Sequence, residues 1–241
     1  MLTLEQAYEQ QGSYQANETE RAKVADVTFI AAVGAVASGK NFFMHESGFH
    51  IVGTDTSRGY RNGDDTEKYT YPTVDEMLDR VEHGVYIQYG VHLPHSIYAT
   101  HAGHYEPGAI NIKDIWFDAV KLLENKGFKS VKSISVLTPA DQWQGYLDDR
   151  FYGATPGYIT DRLNEAKHSI RWSVTRHLSK TANHLLVIND DEQTVGNLDR
   201  IREFAHGDPV EPLDDTLVNE IANQMFMTIK NYNHQRNSEV A

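Results

Sequence analysis

The chain has 241 residues and a formal net charge of -12, with 40% hydrophobic and 23% charged residues, a balance typical of one globular domain with appendages. The negative charge argues against nucleic acid as the main partner, because binding a phosphate backbone needs a basic face. Glutamates stand where a signal peptide would be apolar, no apolar run approaches the ~18 residues that a membrane span needs, and there is no cysteine. We therefore expect a protein of the reducing cytoplasm that binds no membrane.

The first residues of the chain contain no pattern that indicates a catalytic or binding site. Leu2–Ala25 is rich in Gln, Glu and Ala, a composition that favours one polar helix or a frayed arm. We interpret residues 1–26 as a polar helical extension on the surface.

Short apolar runs alternate with helical patterns between residues 27 and 205. The predicted strands are Val27–Val33, His50–Thr54, Val85–Tyr89, Ser96–Thr100, Ala109–Ile112, Val131–Leu137 and Leu185–Ile188. The predicted helices are Asn41–Ser47, Val74–His83, Ile115–Lys126, Ala140–Asp149, Asp161–Ser179 and Glu192–Ala205. This alternation favours an α/β fold with a mostly parallel sheet and helices on both faces, in which ligands bind beyond the carboxyl ends of the strands.

A further helix is predicted after Gly207 and Pro209, over Asp214–Lys230. Its apolar positions fall on one helical face, at Leu217, Ile221, Met225 and Ile229. Docking of this face on the helix's own domain is favoured over a dimer contact, so both a monomer and a homodimer stay open.

A glycine-rich loop follows the first predicted strand. It consists of Gly34, Ala35, Val36, Ala37, Ser38, Gly39, Lys40 and Asn41. The spacing matches the Walker A pattern up to its last position. In that pattern backbone N–H groups surround a β-phosphate and the lysine reaches the β and γ oxygens, which requires a strand before the loop and a helix after it.

Asn41 stands where the Walker A pattern has Ser or Thr, whose hydroxyl ligates Mg²⁺. An amide oxygen also ligates Mg²⁺, although its reach differs. Asn41 is thus the predicted metal ligand, and it is also the main argument for a loop that binds without catalysing.

A second cationic group follows at Arg58 and Arg61, with Tyr69 shortly after. Two arginines three residues apart and a tyrosine hydroxyl are able to close on a phosphate through bidentate and hydroxyl hydrogen bonds. By themselves they also fit a solvated face.

At this point the sequence resembles guanylate kinases. The family has a Thr-Thr-Arg-x-x-Arg loop, a downstream Tyr and a Val-Asp-Glu-Phe-like helix start. This chain has Thr56-Ser57-Arg58, Arg61, Tyr69 and Val74-Asp75-Glu76-Met77, followed by Gly84-Val-Tyr-Ile-Gln88, Tyr98-Ala-Thr100, Arg162-Leu-Asn-Glu-Ala and Val187-Ile-Asn189. Because several separate motifs fall in the right order, the resemblance is specific, and it covers about residues 27–205.

The resemblance implies a role for each matching residue. Arg58, Arg61, Tyr69 and Tyr98 would hold the phosphate of an acceptor monophosphate, and Thr54, Gln88 and Thr100 would read its base. With Lys40, the residues Arg150 and Arg162 would act on the transferred phosphoryl group. Asn189 would border the ATP base.

The chain departs from the family pattern at four places. Asn41 replaces a hydroxyl residue, Gln88 replaces a Glu, Ile110-Asn111-Ile112-Lys113 replaces a Leu-Asp-x-Asp strand, and Tyr146 stands where a lid arginine is usual. The residues for phosphate recognition therefore match the family pattern better than the residues for base recognition do.

The implied architecture is a P-loop NTPase three-layer sandwich over residues 27–206, with a small acceptor-binding subdomain at about 54–105, a helical lid at about 146–165 and a C-terminal helical extension at 207–241. The implied activity is that of an ATP- and Mg²⁺-dependent kinase for GMP, dGMP or a related nucleoside monophosphate. The alternative is a non-catalytic guanylate-kinase-like module that binds a nucleotide or a protein. The presence of Lys40 favours catalysis, because such modules usually lose this lysine.

Four histidines lie close together in sequence, at His92, His95, His101 and His104. No pair has the tight spacing of a structural zinc site with cysteine partners. We interpret them as a histidine-rich loop near the acceptor site. Asp190 and Asp191 are interpreted as caps of the helix predicted from Glu192.

Overall fold

The structure is a computed structural model that describes residues 2–61, 68–92, 96–190 and 194–239, with side chains up to residue 232. Its helices are α1 (Leu4–Gln10), α2 (Glu18–Lys23), α3 (Lys40–Glu46), α4 (Val74–Glu82), α5 (Val120–Leu123), α6 (Ala140–Phe151), α7 (Pro156–Leu178), α8 (Thr194–His206) and α9 (Asp215–Glu239). Its strands are β1 (Thr28–Gly34), β2 (His50–Ile51), β3 (Thr54–Thr56), β4 (Tyr69–Thr70), β5 (Tyr86–His92), β6 (Ser96–His101), β7 (Ile110–Asp114), β8 (Ser130–Leu137) and β9 (His184–Ile188). Short 3₁₀ helices lie at Ala102–His104 and Phe117–Ala119.

The main sheet has five strands in the order β2-β7-β1-β8-β9. The β2–β7 and β8–β9 pairs are parallel, with Ile51 opposite Ile112 and Val136 opposite Val187. The predicted α/β class, with a mostly parallel sheet and helices on both sides, is confirmed.

A second sheet has four strands in the order β4-β3-β6-β5, and its β3–β6 and β5–β6 pairs are antiparallel. The single strand predicted over His50–Thr54 is wrong. It is divided between the two sheets, with β2 in the first and β3 in the second. The chain passes from one sheet to the other at Val52 and Gly53. Local residue propensities do not predict such a crossing.

The chain forms two compact units, one of residues 1–30, 49–113 and 118–131 and the other of residues 31–48, 114–117 and 132–241. In the first unit the N-terminal segment is part of the core. Ala7 is fully buried, the Tyr14 hydroxyl donates to the Tyr86 carbonyl at 2.7 Å, and the Val91 N–H donates to Gln11 Oε1 at 3.0 Å. The segment thereby covers β5, the edge strand of the four-stranded sheet. The segment interpreted as a polar helical extension thus packs against this unit through a few buried contacts.

In the second unit the core lies between α6, α7 and α9. The C-terminal helix docks there, with Val218, Met225 and Ile229 fully buried, whereas Leu217 is 37% exposed. Docking on the chain itself is thus observed, with Val218 in place of the expected Leu217. No helix in the described part of the chain is both long enough and apolar enough to cross a membrane.

The helix predicted over Ile115–Lys126 is shorter than expected and is partly of the 3₁₀ type. Only Phe117–Ala119 and Val120–Leu123 are helical. The Ile115 N–H donates to the Ala32 carbonyl at 3.0 Å, so this residue bonds to a sheet strand instead of starting a helix.

Candidate functional site

The glycine-rich loop connects β1 to α3, as the sequence predicts for a phosphate loop. Ala37 and Gly39 have left-handed backbones, with φ of 59° and 86°. Alternation of such conformations turns successive N–H groups toward one side and makes a concavity suited to an anion. The Trp143 indole N–H donates to the Val36 carbonyl at 2.9 Å and fixes the outside of the loop.

Lys40 is folded back onto its own loop. Its Nζ donates to the carbonyls of Gly34 at 3.0 Å and Ala35 at 3.1 Å, and it lies 4.0 Å from Asp114 Oδ1. Its side chain is only 12% exposed. The ammonium is thus held at the loop, next to one carboxylate.

The loop opens into a cavity of about 520 Å³. The residues lining it are Val36, Ala37, Ser38, Gly39, Lys40, Asn41, Phe42, Asp114, Tyr146, Arg150, Arg162, Asn189 and Thr194. All of them lie in the second unit. The cavity therefore brings together every residue predicted for catalysis and all of those predicted for ATP except Gly34 and Ala35. Arg150 and Arg162 reach it from more than one hundred residues after the loop.

Asp114 is a site residue that the sequence analysis missed. It is the last residue of β7, and its side chain is 55% exposed toward the cavity. An acidic residue near the carboxyl end of a predicted parallel strand is the signal that would have found it.

Arg162 has an acidic partner on its own helix. It forms an ion pair with Glu165, one turn later on α7. Burial raises the pKa of Glu165 above its ordinary value, and the charge of Arg162 opposes this effect. The carboxylate therefore competes with any anion for the Arg162 guanidinium.

Ser38 adds a buried polar group to the loop. Its side chain is 1% exposed, and its Oγ has no hydrogen-bond partner among the described residues. The backbone carbonyl of Ser38 accepts from the Thr138 hydroxyl at 3.1 Å. Because a buried hydroxyl without a partner is costly, this atom indicates a group that binds at the loop.

The residues predicted for the acceptor phosphate lie in the first unit. The Arg58 guanidinium is 5.1 Å from the centre of the Tyr69 ring and donates to the Gly59 carbonyl at 3.0 Å. Tyr98 lies in β6, opposite Thr56 of β3. Arg61 is exposed at the end of the range 2–61. The structure thus brings Arg58 and Tyr69 together by direct contact.

The residues predicted to read the base also lie in the first unit. Gln88 and Thr100 are cross-strand partners on β5 and β6. Tyr105, which the sequence analysis missed, is buried beside them. Burial raises the pKa of the Tyr105 phenol, and neither its hydroxyl nor that of Thr100 has a hydrogen-bond partner among the described residues.

Thr54 is also predicted to read the base, and it is bound by Lys113. Its Nζ donates to the Thr54 hydroxyl and, at 2.7 Å, to the Gly53 carbonyl. Where the resemblance would have an acid, this chain has a cation attached to a predicted base-reading side chain. Asn111, at the other acidic position, is buried and binds the Glu106 backbone through both amide atoms.

The histidine group divides on folding. His101 and His104 lie together at the end of β6, His92 is at the end of β5, and His95 falls outside the described residues. Asp191 also falls outside them, and the Asp190 carbonyl accepts from the Thr194 hydroxyl at 3.1 Å at the start of α8.

No protein-family model and no curated protein matches the chain. Among solved structures, the chain is similar to the crystal structure of guanylate kinase from Anaplasma phagocytophilum, with 14% sequence identity and a TM-score of 0.45. The match covers 76% of this chain and 85% of that chain.

Proposed function

We propose that the chain is an ATP-dependent nucleoside monophosphate kinase, which transfers the γ-phosphoryl group of ATP to GMP, dGMP or a related monophosphate. The observation that carries the proposal is the convergence of Lys40, Arg150 and Arg162 on the cavity at the glycine-rich loop. Phosphoryl transfer needs positioning and charge neutralisation more than covalent chemistry from the protein. Three cations around an anion-binding loop supply both.

ATP would bind with its β- and γ-phosphates at the loop. The N–H groups of the loop and the Lys40 ammonium would bind the phosphate oxygens, and Asn189 would border the base. The Lys40 ammonium is held at the loop by the Gly34 and Ala35 carbonyls. These two hydrogen bonds position the charge that would bind the phosphates.

The oxygen donors at the cavity fit Mg²⁺, which prefers carboxylate, amide and water oxygens. Asp114 and Asn41 both line the cavity, and the buried Ser38 hydroxyl lacks a partner among the described residues. When bound with the nucleotide, Mg²⁺ neutralises phosphate charge. Asp114 is thus proposed as the ligand that compensates for the hydroxyl missing at Asn41.

The acceptor monophosphate would be held by Arg58, Arg61, Tyr69 and Tyr98. Contact with the Tyr69 ring limits the freedom of the Arg58 side chain, which lowers the entropy cost of binding a phosphate. In the transfer step an acceptor phosphate oxygen forms a bond to the γ-phosphorus while the bond to the β,γ-bridging oxygen breaks, and ADP leaves. Arg150 and Arg162 would stabilise the equatorial oxygens as this exchange proceeds.

The second candidate function is a non-catalytic guanylate-kinase-like module that binds a nucleotide or a protein. Two observations favour it: Asn41 lacks the hydroxyl of the phosphate-loop pattern, and Arg162 is paired with Glu165. In such a module nucleotide would bind to the loop without transfer.

A coupled assay of ADP formation, with ATP, Mg²⁺ and a monophosphate, tests the proposal. We expect wild type to form ADP only when the monophosphate is present, and Lys40→Ala to lose this activity. Lys121→Ala, an exposed lysine of α5 outside the cavity, is the matched control and should keep full activity. Nucleotide binding by wild type without ADP formation would establish the binding module instead.

A further inference from the structure

A buried carboxylate in the first unit faces two imidazoles, away from the glycine-rich loop in sequence and in unit. Asp55 of β3 is 1% exposed. Its Oδ2 atom accepts from Arg80 Nη1 at 2.9 Å and from the Tyr86 hydroxyl at 3.0 Å. These two bonds fix the orientation of the carboxylate.

The other oxygen, Oδ1, points to the histidines. It lies 2.8 Å from His104 Nε2 and 3.9 Å from His101 Nε2, and it accepts from the Thr70 hydroxyl at 2.6 Å. One ligand atom from each of Asp55, His101 and His104 lies within 4.8 Å of the other two. The two oxygens therefore have separate surroundings: Oδ2 meets Arg80 and the Tyr86 hydroxyl, whereas Oδ1 meets two imidazoles and the Thr70 hydroxyl.

Both rings are positioned by the backbone around them. His101 is the N-cap of the 3₁₀ helix Ala102–His104 and His104 is its last residue, and their ring centres are 3.9 Å apart. The Gly103 N–H donates to His101 Nδ1 at 3.0 Å. At Gly53 a β-carbon would lie 2.5 Å from His104 Nδ1, so the absence of a side chain there makes room for the ring.

We propose that Asp55, His101 and His104 form a site for a divalent first-row transition-metal ion such as Zn²⁺. Two imidazoles and one carboxylate leave a fourth position for water, the ligand arrangement of an open zinc site. Zinc bonds of about 2.0–2.2 Å at tetrahedral angles separate ligand atoms by about 3.4 Å. The observed separations of 2.8 Å and 3.9 Å lie on either side of that value.

The solvent exposure of the site and the hydrogen bonds to the Asp55 carboxylate also fit a bound ion. The His101 side chain is 35% exposed, so one ligand faces solvent, whereas the carboxylate is buried. Arg80 and Tyr86 bind the far oxygen of the carboxylate and Thr70 binds the ligating oxygen, as outer partners of metal ligands commonly do.

Binding an ion changes the hydrogen bonds of the site. Nε2 of each neutral imidazole would give up its proton to Nδ1, so His104 would cease to donate to Asp55 and His101 would cease to accept from Gly103. Arg80 would stay on Oδ2 and weaken the attraction of the carboxylate for any cation. This balance disfavours Mg²⁺, which depends on oxygen ligands, and favours ions that bind nitrogen strongly.

The test uses the full chain, treated with a chelator and then titrated with Zn²⁺ by calorimetry, without nucleotide. We expect one ion per chain, a rise in melting temperature, and the visible absorption of tetrahedral Co²⁺ when Co²⁺ replaces Zn²⁺. His101→Gln and His104→Gln should each lower Zn²⁺ affinity at least about tenfold. His206→Gln, an exposed histidine of α8, is the matched control and should bind as wild type does.

Mg²⁺ in excess should not displace the Zn²⁺. Because His101 is the more exposed ligand, His101→Gln should fold as wild type does, and its melting temperature without metal checks this. Equal Zn²⁺ affinity in wild type and His101→Gln, or no binding by wild type, would overturn the proposal and leave Asp55 as a purely structural carboxylate.

Discussion

Gly39 of the glycine-rich loop and Asn189 at the end of β9 approach so closely that a β-carbon on Gly39 would lie 2.3 Å from Asn189 Nδ2. The φ of Gly39 is 86°, in the left-handed region that favours glycine. Both the backbone conformation and the neighbouring side chain therefore favour glycine at this point of the loop.

The first prediction concerns this contact. Gly39→Ala should lower the free energy of unfolding by about 1–3 kcal/mol, since it combines a strained backbone with a clash. Gly145→Ala in α6 is the control, because a β-carbon there meets nothing within 4 Å and alanine favours a helix. Denaturant titrations of the three chains provide the measurement, and equal losses in both variants would contradict the contact.

The second prediction concerns the metal at the nucleotide cavity. Asp114→Asn should raise the Mg²⁺ concentration at half-maximal ADP formation about tenfold or more, because a carboxylate ligand becomes a neutral amide. Asn41→Ser should lower it, because the hydroxyl of the phosphate-loop pattern is restored. Asp118→Asn, exposed outside the cavity, is the control. An unchanged Mg²⁺ dependence in Asp114→Asn would place the metal elsewhere.

The third prediction separates the two substrates. Arg58→Ala should weaken acceptor binding by about 1.5–3 kcal/mol, the range of a hydrogen bond to a charged group, while ATP affinity stays the same. Arg58→Lys keeps the charge but loses the planar fork, so it should recover only part of the loss. Calorimetry with each nucleotide measures both affinities. A fall in ATP affinity as large as the fall in acceptor affinity would show that Arg58 does not act on the acceptor alone and would contradict this prediction.

The fourth prediction concerns the base of the acceptor. Guanine presents two adjacent donors, N1–H and the N2 amino group, which a carboxylate accepts together but the Gln88 amide does not. The Lys113 ammonium on Thr54 adds no acceptor. Wild type should therefore discriminate weakly between GMP and other monophosphates, and Gln88→Glu should sharpen the preference for GMP by about 1–3 kcal/mol.

A panel of ribo- and deoxynucleoside monophosphates, compared by kcat/KM, measures this selectivity. A wild type with a strong preference for GMP that Gln88→Glu does not improve would show that another group reads the base.

The fifth prediction concerns acid stability. Burial, assisted by the charges of Arg176 and His177, lowers the pKa of His184 to about 3. The unfolded pKa is about 6.5, so between these values the unfolded chain binds a proton that the folded chain does not. Neutral His184 makes its full contribution to the free energy of unfolding above about pH 6.5. As pH falls below this value, the free energy of unfolding decreases by up to about 1.4 kcal/mol per pH unit.

Denaturant titrations from neutral to acidic pH measure this slope. His184→Gln should have a shallower decline than wild type, whereas His206→Gln should decline as wild type does. The same decline in wild type and His184→Gln would assign the acid sensitivity to other groups.

Local patterns in the sequence determined the features that depend on neighbouring residues. Thr73 and Glu76 form a capping box at the start of α4, a motif that can be found in the sequence because its bonds join residues three apart. The strand, glycine-rich loop and helix around Lys40 follow from a similarly short stretch. Most predicted strands and helices are found within a few residues of their expected bounds for the same reason.

Tertiary structure decided the features that depend on residues far apart in the chain. On α9, Val218 is buried and the expected Leu217 is partly exposed. The helix has more than one apolar face, and packing against α6 and α7 decides which of them is buried. Asp55 meets His104 only because β3 pairs with β6. Side chains separated by many residues are brought together by strand pairing and core packing, whose energies are summed over the whole fold and leave no mark in a short stretch of sequence.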